Sequence, residues 1–491
     1  MPARPQGVLR RQPSREPSAR TYARALPIVP VRARGLTIEG ADGRRYLDCL
    51  SGAGALALGH NHPVVLEAIR KVLDSGAPLN ALGLATPVKD AFTTELFRTL
   101  PPGLADRARV RFCGPAGGDA LETASALVRA ATGRSGLIRF PGAVHEGPAG
   151  RLTAGSLHTS GDASHAPTTC PPRPNGHDRT SRVGRGQEAE RLAPWTESAP
   201  DPAASAGPLA AGVIVEPVEG GDGVIPAPGG WLRRMRQLTA DHSVPLIVDE
   251  TRTGVGRTGT FWAVEHSGVT PDVMVLSEAI GGSLPLSVVV YRDALGTGSP
   301  GADGGPFRGN QLAMAAGTAT LAHVRENRLA ERAAALGARM LGRLGCLAAE
   351  FSCVGQVRGT GLMIGVELVD PEGGEPASGP EPRSGPGAGA ARPEEGPASG
   401  GGAGTVPGRM RGSEGLGGPA ARELACAVRR ECLRRGLIVG LGGRHGSVVR
   451  LLPPLTITDE QAAAVLDRLA DAIRVVSARG CRSTAAVRFT P

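Results

Sequence analysis

The sequence predicts an α/β fold in which buried parallel strands alternate with helices, and three observations carry that reading. Between Val244 and Arg292, short apolar runs (Leu246–Val248, Val273–Leu276, Leu286–Val290) alternate with polar, glycine-rich turns, the signature of parallel strands covered on both faces. An acid, Asp249, closes the first run, and ligands of open α/β sheets bind at such C-terminal strand ends. Residues 109–129, RVRFCGPAGGDALETASALVR, read as strand, glycine-rich loop and helix, a geometry that offers unpaired N–H groups to an anion. With 491 residues, the chain accommodates a large α/β domain and a smaller one.

Composition narrows the function classes. The net charge is +9, but nearly all basic residues are arginine, Lys71 and Lys89 being the only lysines. No run of like charge and no basic stripe interleaved with aromatics occurs, and aromatics make up only 3%, so a nucleic-acid partner is not expected. The eight cysteines are scattered without a C-x-x-C pair, which suits reduced core thiols rather than disulfides or a metal site. The N-terminus is rich in Arg and Pro and lacks an apolar h-region, so it is no secretory signal. Residues 1–20 read as a disordered leader, with a transit peptide as the alternative. No run reaches the roughly eighteen apolar residues a membrane span needs. The expectation is a soluble, cytoplasmic protein.

Taken in order, the short runs Pro27–Val31 and Leu36–Ile38 read as strands leading to an Asp42-Gly43 turn. Pro63 opens a helix with Val65, Ile69, Val72 and Leu73 on one face, Lys71 on the other, and Gly76 at its end. Residues 150–206 lose periodicity and are expected to be irregular. Order resumes at AAGVIVEPVEGGDGVIP, where Glu216 ends a buried strand. Helical patterns fill roughly 311–325 and 328–350, followed by a strand over 362–368. Residues 371–418 are a Gly/Pro/Ser/Glu tract that buries too little apolar surface to offset ordering entropy, and read as a disordered insertion. Behind it, Leu424, Val428 and Cys432 form one helical stripe ending at Gly436. A capping box, Thr458 with Gln461, starts the last helix, with Val465, Leu469 and Ile473 on its core face.

The motif IVDE…TG-G-RTG…PD…LS-x-AIGG…PL resembles the class III aminotransferases of the pyridoxal-phosphate (PLP) fold-type I group, and similarity runs from about Arg20 past Arg450. The resemblance implies a large domain over 61–320 with a mixed, mostly parallel seven-stranded sheet. A smaller α+β domain would draw on both chain ends, 21–60 and 321–491, and members pair as dimers with sites at the interface. It also implies roles. Asp249 pairs with the pyridine nitrogen of PLP and keeps the ring an electron sink. Gly117 and Gly118 belong to the phosphate loop, His145 to a turn beside the ring, Glu216 faces the site, and Arg450 grips a substrate carboxylate as a bidentate fork. Each of Asp249, Glu216 and Arg450 also reads as a strand-end or rim charge.

Several positions depart from that pattern. The family's lysine, which holds PLP as an imine and then shuttles a proton, follows Leu276-Ser277; here that position is Glu278. The loop Ala116-Gly117-Gly118 lacks the family's hydroxyls, Val144 replaces the aromatic that stacks on the ring, and Pro306 replaces a threonine that reaches the partner's phosphate. Glu219 and Asp222 stand where Gln and Glu are common. The resemblance, weighed with these departures, implies one of two functions. One is transfer of the 4-amino group of L-2,4-diaminobutyrate to 2-oxoglutarate, giving aspartate 4-semialdehyde and glutamate. The other is a catalytically inactive homologue that binds PLP weakly and non-covalently and acts as a homodimer or as the partner of an active paralogue.

Overall fold

Apolar, β-branched runs supply the middle of the central sheet. The computed structural model describes residues 7–9, 26–81, 83–139, 168–169, 210–221, 223–296, 308–370, 419–443 and 445–487. In chain order the strands are β1 (Pro30–Arg34), β2 (Thr37–Gly40), β3 (Arg45–Asp48), β4 (Ala108–Phe112), β5 (Leu137–Arg139), β6 (Thr168–Thr169), β7 (Gly212–Val215), β8 (Val218–Glu219) and β9 (Ile225–Pro226). Then come β10 (Leu246–Asp249), β11 (Val273–Leu276), β12 (Val288–Arg292), β13 (Val354–Thr360), β14 (Met363–Leu368), β15 (Leu437–Ile438), β16 (Gly440–Gly442) and β17 (Val448–Leu451). The helices are α1 (Pro63–Asp74), α2 (Pro87–Thr99), α3 (Gly117–Thr132), α4 (Gly229–Asp241), α5 (Gln311–Glu326), α6 (Leu329–Glu350), α7 (Pro419–Arg434) and α8 (Asp459–Val487).

The central sheet has seven strands in the order β4-β12-β11-β10-β7-β5-β6. Neighbours from β11 to β6 are parallel. The run at 286–290, read as a parallel strand, instead lies in β12, antiparallel to both β11 and β4. The link from β11 holds only a short 3-10 turn, Glu278–Gly281, and a parallel return needs a crossover of a dozen or more residues. Side chains alternate between two buried layers. Leu246, Val248, Met274, Leu276, Val288 and Val290 enter the main core, whereas Ile247, Val273, Val275 and Val289 pack with Leu121, Ala124 and Val128 of α3. Both faces are covered, so these strands are apolar throughout.

Two smaller sheets flank this one. β1-β2-β3-β15 joins the two ends of the chain through a parallel pairing of Leu47 with Leu437, and β13-β14-β17-β16 is antiparallel throughout. The final helix begins as expected: Thr458 N–H donates to Gln461 Oε1 (3.0 Å) and Gln461 N–H to Thr458 Oγ1 (3.2 Å). One helix face differs from expectation. Val65 and Val72 of α1 are buried, but Leu73 is half exposed, because α1 lies on α5 along a narrower stripe than the spacing suggested.

Residues 7–9 are helical and Thr168–Thr169 pair with β5, each within a stretch whose composition predicts no order. The one pair of large apolar residues in the leader, Val8-Leu9, and a β-branched Thr pair supply the local preference. The rest of 1–20 and of 150–206, and all of 371–418, lie outside the described residues, as do Val144, His145, Asp222 and Pro306.

Candidate active site

β10 and β11 end side by side, and the segments that follow them build the cleft. Asp249, the last residue of β10, is buried and accepts a hydrogen bond from Thr251 N–H at 3.0 Å. The first turn of α3 comes up against these strand ends: a Cβ on Gly117 would lie 2.9 Å from Thr251 Cγ2 and 3.6 Å from Ser277 Cβ. Glycine permits this approach, and the helix N-terminus turns its N–H groups toward the cleft. Ala116 N–H is already taken by Asp119 Oδ2 at 3.0 Å. Thr251 Oγ1 is buried here and has no hydrogen-bond partner among the described residues.

After β11 the chain turns sharply. Ser277 is buried, its hydroxyl donating to Leu286 O at 3.2 Å. Glu278 follows with φ of 54°, a left-handed conformation that costs a side-chain-bearing residue about 1 kcal/mol or more. Its Oε1 lies 3.8 Å from Arg252 Nε, an ion pair too long for a hydrogen bond.

Two more guanidiniums act on Glu278. Arg257 is buried; its Nη2 donates to Gly54 O at 3.2 Å and its Nη1 to Pro453 O. Burial pushes the Arg257 pKa down to about 10, and the charge of Glu278 opposes that shift. Arg450, on β17, donates from Nη1 to Gly220 O at 3.0 Å. Burial first, then neighbouring Arg252, lower the Arg450 pKa, while Glu278 again opposes. Gly442 makes room for Arg450, since a Cβ there would sit 2.7 Å from Cδ and from Nε. Glu216 Oε2 accepts from Gly220 N–H at 3.4 Å, so the glutamate expected to face the site holds the loop whose Gly220 carbonyl accepts from Arg450. Contacts through Thr251, Ser277, Arg252 and Gly220 thus bring Gly117, Asp249, Glu278, Glu216 and Arg450 into one neighbourhood, with Gly118 next to Gly117 in the first turn of α3, while His145 falls outside the described residues.

The family model described as Aminotransferase class-III matches residues 18–473. The chain belongs to the class III aminotransferases. It is 45% identical over 468 residues to a diaminobutyrate–2-oxoglutarate aminotransferase of Rhizobium meliloti, covering 94% of this chain and 92% of that one. A Haemophilus influenzae protein of the same name is 36% identical, covering 96% of each. Among solved structures, an (S)-enantioselective omega-transaminase from Thermomicrobium roseum superposes with a TM-score of 0.76 at 23% identity, covering 96% of this chain and 99% of that one. That likeness fixes the fold as fold type I.

Class III aminotransferases work with PLP, and the cleft fits that cofactor at two of its three anchor points. The glycine-lined N-terminus of α3 beside the strand ends fits the phosphate, and buried Asp249 at the strand end fits the ring nitrogen. The aldehyde has no amine to meet. Lys71 is exposed on α1 and paired with Glu67 at 3.7 Å. Lys89 Nζ sits 4.8 Å over the ring of Phe112 at the end of β4, with β12 between that strand and β11.

Arg252 and Arg257 escaped the sequence reading although both stand inside the motif that carries the resemblance. Each meets its partners through residues distant in the chain, such as Gly54, Gly220 and Pro453, so no local spacing marks them. Among the described residues, no cluster of three or more His, Cys, Asp or Glu side chains is placed to hold a metal ion. No helix there is long and apolar enough to cross a membrane.

Proposed function

We propose that this chain keeps the fold and ligand cleft of the diaminobutyrate–2-oxoglutarate aminotransferases but does not itself transfer amino groups. The observation that carries this is Glu278: it follows Ser277, where the resemblance puts the family's lysine, and its carboxylate faces Arg252, Arg257 and Arg450. A carboxylate cannot condense with an aldehyde. PLP supplies an electron sink when bound; in this chain Asp249 would hold its ring nitrogen and the first turn of α3 its phosphate. Without a covalent anchor, binding is reversible and weak. Arg450 remains able to hold a substrate carboxylate.

The protein is proposed to be cytoplasmic and to act in a pair, either with a second copy or with an active paralogue. Val64 and Leu73 of α1, with Leu79 and Leu84 just after it, are exposed large apolar residues and support an interface on that side. The second reading is amino transfer from L-2,4-diaminobutyrate to 2-oxoglutarate. It is favoured by the 45% identity to the Rhizobium meliloti protein across 94% of this chain.

Borohydride treatment after PLP addition, followed by peptide mapping, separates these readings when combined with a coupled glutamate assay. Wild-type protein is expected to retain no PLP after dialysis and to show no turnover. Glu278→Lys should restore covalent attachment sooner than activity. Turnover by wild type at about 1 s⁻¹ or more, or PLP attached at Lys71 or Lys89, would establish the second reading instead.

A further inference from the structure

Three arginines meet at the other end of the central sheet from Asp249 and Glu278. Asp272, the residue before β11, fixes this end. Its Oδ2 accepts from Leu246 N–H at 2.9 Å and from Arg236 Nη1 at 2.6 Å, and its Oδ1 accepts from Arg292 Nε at 2.9 Å. Arg236 lies on α4 and Arg292 ends β12. Arg233, three residues before Arg236 and so its neighbour on the helix surface, donates from Nη1 to Ser267 O at 3.3 Å. With Val269 and Thr270, these residues line an open cavity of about 360 Å³, which lies at the lower end of the size range of small-molecule sites.

We propose that this cavity binds the phosphate group of a small phosphorylated ligand, held by Arg233, Arg236 and Arg292. Three guanidiniums against one carboxylate leave two positive charges in the lining, which matches the roughly 1.5–2 negative charges of a phosphate monoester near neutral pH. A guanidinium carries five N–H donors. The bonds described engage one on Arg233, one on Arg236 and two on Arg292, so donors remain on all three. Asp272 opposes an incoming anion only weakly, because two guanidiniums and a backbone N–H already hold its oxygens. It also holds Arg236 and Arg292 in place beforehand, which lowers the ordering cost of binding. The side chains of these two arginines are only 22% and 32% exposed, and charge-assisted hydrogen bonds gain strength away from bulk water. Thr270 Oγ1 is committed to Pro102 O at 3.2 Å, which leaves recognition to the guanidiniums. A phosphate offers three acceptor oxygens, one for each arginine, where a carboxylate offers two. The site shares no residue with the cleft and stands whichever activity the cleft has.

Isothermal titration of the full-length chain with glycerol 3-phosphate tests the assignment. Wild type is expected to bind it about tenfold more tightly than Arg233→Gln does, and about tenfold more tightly than it binds acetate, a monoanion with two oxygens. Arg233→Glu, which takes the surplus charge from two to zero, should leave no measurable binding. Arg233 is exposed and pairs with no strand, so these variants keep the fold; circular dichroism checks this, and Arg233→Ala serves if Arg233→Gln is unfolded. Gly117→Ala, which crowds the first turn of α3 against Thr251, should bind glycerol 3-phosphate as wild type does. No binding by wild type, equal affinity of wild type and the Arg233 variants, or equal affinity for glycerol 3-phosphate and acetate would overturn the site. Loss of binding in Gly117→Ala with none in Arg233→Gln would put the phosphate in the cleft and overturn it as well.

Discussion

Immediately after Asp249, a second carboxyl is cut off from solvent. Burial pushes Glu250 up to about 7, against the opposing hydrogen bonds from Thr253 Oγ1 and Val264 N–H. A raised carboxyl holds its proton in the folded chain at pH values where the unfolded chain has lost it. Stability from this group is therefore full below the unfolded value of 4.5 and falls as pH rises to about 7, by on the order of 3 kcal/mol. Glu250→Gln should flatten that decline, and thermal melts of wild type and variant between these pH values check it. An unchanged slope would mean that Glu250 ionises freely in the fold. Sequence reading found Asp249 because it closes an apolar run, but gave Glu250 no role. Its partner Val264 lies on the 3-10 turn Ala263–Ser267, and no periodicity announces that contact. Arg252 and Arg257, beside Glu278, were hidden for the same reason, whereas the exchange of lysine for glutamate was plain from the motif alone.

Among the elements, α5 sets the position of Glu278. The helix crosses the turn Glu278–Gly281 at Gly317, where a Cβ would lie 2.2 Å from Ile280 O and 2.9 Å from Phe92 Cε2. Gly317→Ala must therefore push helix and turn apart, at a cost of about 1–3 kcal/mol. Urea unfolding should show that loss, and a variant as stable as wild type would mean that the contact yields freely. The helices were legible because amphipathic spacing and caps are local signals; the Thr458–Gln461 box forms both of its expected bonds. The direction of β12 was not, since an apolar run states only that a strand is buried. Connection length decides parallel or antiparallel, and that required seeing Glu278–Gly281 as a tight turn.

Over the whole molecule, the apolar side chains at Val64, Leu73, Leu79 and Leu84 remain uncovered in the single chain. Light scattering of the purified protein should give twice the chain mass, and Leu79→Asp/Leu84→Asp should shift it toward the monomer; a monomeric wild type would place the pairing surface elsewhere or with another chain. The fold type was readable because similarity spans both ends, yet the joining of those ends was carried by the resemblance and not by any local pattern. That joining bears on how the protein is made. Arg44 Nη2 donates to Arg434 O across 390 residues, beside the pairing of Leu47 with Leu437. At about 5–20 residues per second, a ribosome leaves the outer edge of β3 bare for roughly 20–80 s. During synthesis the nascent chain thus presents an open strand edge, the kind that recruits stray β-partners, and a prematurely terminated chain keeps it open permanently.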